Sequence, residues 1–103
     1  MMFCCNLFQS AVQDAGKKGI SIIAHNEEGF KFFCLQARAC DSDQEKNLSE
    51  SLPHNVHPRF LRIVEQVAVK FCPFCGCKLE RTIKGDQDAF DLLAKHHENF
   101  LLR

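Results

Sequence analysis

The spacing of apolar positions along the chain changes period several times. Leu7, Phe8, Ala11, Val12 and Ala15 recur at the three-to-four spacing of one helix face, which predicts a short helix over Asn6 to Ala15. Asn6 is a favourable N-cap, Gln9 follows at capping-box distance, and Gly16 suits the stop. Lys17-Lys18-Gly19 reads as a turn. Ile20 to His25 is rich in β-branched residues and predicts a strand. Asn26-Glu27-Glu28-Gly29 predicts a hairpin loop, and Phe30 to Cys40 the return strand. Phe33, Leu35, Ala37 and Ala39 share one face of that strand. Phe30, Phe32 and Cys34 share the other, so either a helix covers that face or a bulge redirects it.

Asp41 to Pro58 loses all periodicity. It is charged, carries Pro53 and Pro58, and reads as a polar surface loop with one helical turn near Gln44 to Leu52. His54 and His57 fall in it as solvated side chains. Apolar residues return at Phe60, and Ile63, Val67, Val69 and Phe71 alternate, although Glu65 breaks the inward set. A third strand from about Ile63 follows, with Arg59 to Arg62 alternatively helical. After Cys72-Pro73-Phe74-Cys75-Gly76, Lys78 to Lys84 is predicted as a short strand ended by Gly85. Asp86 caps a final helix running to about Leu102, whose stripe is Phe90, Leu93, Ala94, His97 and Leu101. The expected fold is α+β and spans 1–103 as one domain. It has a small antiparallel sheet of about three strands, an N-terminal and a C-terminal helix, and the cysteine knuckle.

Composition narrows the class. At 103 residues and 46% hydrophobic the chain can bury a core, though not a generous one. The ten Phe are its only large aromatics, and they bring area without a polar handle. Thirteen basic and thirteen acidic residues cancel, which counts against non-specific nucleic-acid binding. Seven cysteines are many and odd in number, whereas a secreted disulfide scaffold wants an even count and a signal peptide. Met1-Met2-Phe3-Cys4-Cys5-Asn6 has neither a basic segment nor a long apolar run. The expected setting is a reducing cytoplasm with no membrane partner, where clustered cysteines mean metal or redox chemistry.

Cys72 and Cys75 form the clearest candidate site. Pro73 fixes one backbone angle, and Gly76 permits the turn that brings N–H groups up to sulfur. Zinc takes four Cys or His ligands in structural sites. The other half of the site is expected from Cys4 and Cys5, just outside the first helix, where the helix dipole favours thiolate. Cys34, Cys40 or His97 remain open as replacements for one of them. Cys77 is expected to point away from the ion. The metal is zinc, with iron as the alternative.

Phe71-Cys72-Pro73-Phe74-Cys75-Gly76-Cys77-Lys78-Leu79 resembles the knuckle of zinc ribbons and rubredoxin-like folds. It is similar to the CPxCG ending of small bacterial and phage proteins of unassigned function. The resemblance covers under a tenth of the chain and implies a metal and a local shape. It departs from the two-CxxC ribbon pattern, because Cys4 and Cys5 have no spacer.

The favoured expectation is a small zinc-stabilised module that binds another protein or joins a larger complex, and is not an enzyme. The alternative is a nucleic-acid-binding regulatory ribbon using Lys17, Lys18, Lys78, Arg81 and Lys84. Thiol redox chemistry at Cys72 and Cys75 is the third, weakened by the expectation that no helix starts before Asp86.

Overall fold

The computed structural model describes residues 2–41 and 63–101. The polar loop after Asp41, with His54 and His57, and the segment Arg59 to Arg62 lie outside the described residues. The described elements are α1 (Asn6–Gln13), β1 (Gly19–Glu27), β2 (Phe30–Arg38), β3 (Ile63–Val69), α2 (Leu79–Gly85) and α3 (Gln87–His97). The strands form one antiparallel sheet in the order β1-β2-β3, so the fold is α+β as expected.

β1 and β2 pair from Gly19 with Arg38 to Glu27 with Phe30. Glu28 and Gly29 both take positive φ, 53° and 91°, in the two-residue turn whose twist matches that of paired strands. Asn26 Oδ1 accepts the Gly29 N–H at 3.0 Å and closes it. β3 pairs with β2 from Val69 with Phe33 to Ile63 with Arg38, with a register shift between Ala37 and Arg38. The irregularity the sequence allowed is therefore present, at the end of β2 away from Phe30 and Phe32.

Phe33 is the centre of the core. Its ring meets Phe8 of α1 and Phe90 of α3, each edge-to-face with centroids 5.1 Å apart. Ile22, Ala24, Leu79 and Ile83 complete the layer. α1 and α3 lie against β1, and α2 lies against β2. Asp86 Oδ1 accepts the Ala89 N–H at 3.1 Å, the cap the sequence predicts for the last helix.

Two expected elements are corrected. Lys78 to Lys84 is not a strand: Leu79 to Gly85 is a helix. Leu79, Thr82 and Ile83 are buried at helical spacing, and Glu80 pairs with Lys84 across one turn at 2.7 Å. The final helix stops at His97 rather than near Leu102. His97 Nδ1 accepts the Ala24 N–H at 3.0 Å. That N–H lies on the outer edge of β1, where no strand among the described residues pairs with it. The chain then rounds this edge. The Phe100 carbonyl accepts from Gln36 Nε2 at 2.7 Å and Arg38 Nη2 at 2.9 Å, both on the sheet face opposite Phe33.

Two predictions follow from this wrap. Gly16 has φ +84°, and a Cβ built on it would lie 2.6 Å from the Phe100 ring. Gly16→Ala is expected to destabilise by about 2–4 kcal/mol, combining left-handed backbone strain with overpacking. Gly19 has φ +99° with open space around it, so Gly19→Ala should carry only the backbone part. Urea midpoints of the two variants separate the contributions.

Burial, with the charge of His96 adding to it, lowers the His97 pKa from 6.5 to about 4. Folded His97 thus stays neutral where the unfolded chain already takes up a proton. Its contribution to stability is full above about pH 6.5 and is lost as pH falls towards 4. Between pH 7 and pH 5 this amounts to about 2 kcal/mol. His97→Asn keeps an acceptor but cannot titrate, so its urea midpoint should fall less than wild type over the same interval.

Candidate metal centre

The site begins with a turn and a cap. At the knuckle, the Cys72 N–H donates to the Cys77 carbonyl and the Gly76 N–H to the Cys72 carbonyl, each at 2.9 Å. Gly76 has φ +80°, the left-handed conformation a glycine takes without steric cost. The loop stands on a bridge between Phe71 and Lys78, and the Leu79 N–H reaches the Lys70 carbonyl at 3.0 Å. It holds Cys72 almost wholly buried against the core and leaves Cys75 exposed. The N–H groups of Phe74 and Cys75 donate to Cys72 Sγ at 3.4 and 3.5 Å.

The second half comes from the start of α1. The N-cap is Cys5, not Asn6. Its extended backbone, φ −161° and ψ 164°, lets Sγ accept the Phe8 N–H at 3.4 Å. A sulfur replaces the side-chain oxygen usual at that position, and it thereby sits at the positive end of the helix. The chain bends at Cys4 and Cys5, which carries both neighbouring sulfurs to the same side.

The ligand atoms of Cys4, Cys5, Cys72 and Cys75 all lie within 4.8 Å of one another. Cys5 Sγ and Cys72 Sγ are 3.8 Å apart, although 67 positions separate the residues. Zinc–sulfur bonds of about 2.3 Å in a tetrahedron place sulfurs about 3.8 Å apart. The spacing therefore suits one four-coordinate ion of that size. None of the seven cysteines is in a disulfide.

The titration of these thiols reflects crowding. At Cys72 burial opposes ionisation, but the Cys75 and Phe74 N–H groups and the Cys4 and Cys75 thiols outweigh it and bring the pKa down to about 7. Burial, reinforced by the thiols of Cys77, Cys75 and Cys72, holds Cys4 far above the ordinary range. At Cys5 the Phe8 N–H lowers the pKa, yet burial and the thiols of Cys72 and Cys75 leave it raised. The preference for thiolate expected at Cys4 and Cys5 from the sequence is therefore corrected: the Phe8 N–H acts in that direction at Cys5 and is outweighed. One thiolate forms readily, and Cys4 and Cys5 resist, first because burial disfavours their charge and then because thiols crowd the same point. A divalent cation removes that resistance.

The alternative ligands go elsewhere. His97 is committed to the Ala24 N–H, and Cys34 and Cys40 are buried outside the cluster. Cys77 is not one of the four, and its Sγ lies 4.0 Å from the Lys78 carbonyl. A helix does start before Asp86, contrary to expectation: α2 begins at Leu79, four residues after Cys75, so the expected absence of one does not count against redox chemistry. Among the described residues no helix is long and apolar enough to cross a membrane. Comparison with protein-family models, curated proteins and solved structures finds no match for this chain.

Proposed function

We propose that the chain is a small zinc-binding protein whose metal has a structural role and holds together a protein-interaction module. The carrying observation is the meeting of four thiols within 4.8 Å, from two segments 67 positions apart at Cys5 and Cys72. Thiolates are soft ligands and select zinc or iron over magnesium or calcium. A four-cysteine set fills the tetrahedron and leaves no open position for substrate or water, which supports a structural rather than a catalytic role. Three backbone N–H groups directed at Cys5 and Cys72 offset the charge such a centre carries. Zinc would fold the knuckle onto α1 and so fix α2, which follows it.

The charge pattern supports a protein partner over nucleic acid. Two of the lysines in the candidate basic patch are already paired, Lys17 with Asp14 and Lys84 with Glu80. The formal net charge is zero.

Native mass spectrometry of protein purified without added metal tests the proposal. One zinc per chain is expected, with no visible colour. A red protein with one iron would replace zinc by iron. A folded chain carrying no metal would remove the proposal.

A further inference from the structure

The edge of the sheet beside the knuckle is left open in a way that points to a ligand. The Ala24 N–H is turned outward to His97, so Ala24 and its partner Phe33 do not exchange hydrogen bonds across β1 and β2. In an antiparallel ladder this alternates, so Phe33 and Lys31 direct their N–H and C=O groups towards β3. Phe33 finds Val69 there. Continued register would set Phe71 opposite Lys31, but pairing stops at Val69. Phe71 instead bridges with Lys78 on the side away from β2. Among the described residues no strand pairs with Lys31 on the side of β3, opposite to Asn26 of β1.

The gap is a groove of about 720 Å³. Val69, Leu79 and Ile83 give it an apolar lining, flanked by Phe30 and Phe71, which are 71% and 53% exposed. Its rim is basic. Lys31 and Lys84 are neutralised by Asp91 and Glu80. Lys70 and Lys78 are exposed and have no ion pair among the described residues.

We propose that this groove binds one extended, acidic peptide segment of a partner protein by strand addition. The peptide main chain pairs with the N–H and C=O of Lys31, an apolar side chain enters between Val69 and Ile83, and carboxylates meet Lys70 and Lys78. The main-chain edge distinguishes this occupant from a nucleic acid, which has no matching amide ladder. The inference deepens the interaction-module reading and rests on it, because the bridge that borders the groove stands at the base of the cysteine knuckle.

The test is selection from a random peptide display library on the zinc-loaded full chain, followed by synthesis of the strongest binder. The expected sequences alternate carboxylates with apolar residues, and the bound peptide shifts the amide resonances of Phe30 to Phe32. N-methylation of every second peptide amide, in the set that faces Lys31, should weaken binding by about tenfold or more. Lys70→Glu combined with Lys78→Glu should do the same. Selected peptides lacking carboxylates, or binding indifferent to both changes, would overturn the proposal. So would oligouridylate binding that the double charge reversal abolishes, since the occupant would then be nucleic acid. Native mass spectrometry on the same samples separates the failures. Metal-loaded protein that selects nothing defeats the groove alone, and folded metal-free protein defeats the metal centre.

Discussion

Cys72→Ser is expected to leave the protein without a cooperative unfolding transition at 25 °C, and a strong chelator should do the same to wild type. Structural zinc contributes on the order of 10 kcal/mol of folding free energy at neutral pH. The net stability of a domain is about 5–15 kcal/mol, so losing the ion removes most of it. Cys72 is the most exacting position because it serves twice. It is 3% exposed and packs in the same cluster as Phe8 and Leu79, and its sulfur accepts two backbone N–H groups. Serine brings a harder, smaller atom that fits neither role. Far-UV circular dichroism with and without chelator checks this. Cys77→Ser is the matched control: Cys77 lies outside the set of four, so this variant should keep one metal ion and a cooperative transition.

Phe33→Ala is expected to cost about 3–5 kcal/mol without altering metal stoichiometry. The ring is fully buried between Phe8 and Phe90. No other described side chain joins α1, the sheet and α3 through two such edge-to-face contacts. Truncation removes both contacts and opens a cavity that rings held by three separate elements cannot easily fill. Leu92 on α3 is 60% exposed, and Leu92→Ala should stay within about 0.5 kcal/mol of wild type. Urea unfolding in saturating zinc compares the two variants with the metal held constant.

Much of the fold was legible because its signals are local. The hairpin, the Asp86 cap and the period-two pattern around Phe33 each depend on a few neighbouring residues, although Asn26 and Glu27, expected in the hairpin loop, belong to β1 and leave only Glu28 and Gly29 in the turn. The half-site at Cys72 and Cys75 was legible for the same reason. Its completion by Cys4 and Cys5 was an expectation from chemistry, and the structure brings all four together. α2 was misread although Leu79, Thr82 and Ile83 show helical spacing. Ile83 and Thr82 favour strands intrinsically, and burial against the core decided the matter. The wrap of the C-terminal segment was not visible at all. Gln36 and Arg38 are both buried and grip the Phe100 carbonyl from 60 or more positions away. His97 sat on the predicted apolar stripe, yet its partner is a backbone N–H at a sheet edge, which no side-chain pattern reveals. The open edge at Lys31 was equally hidden, because it depends on where β3 stops pairing.

The most direct measurement is X-ray absorption at the metal edge, on protein purified without added metal. Four sulfur atoms at about 2.3 Å and no nitrogen or oxygen in the inner shell are the predicted result. A nitrogen in that shell, a set of fewer than four sulfurs, or no bound metal would contradict a centre built from Cys4, Cys5, Cys72 and Cys75.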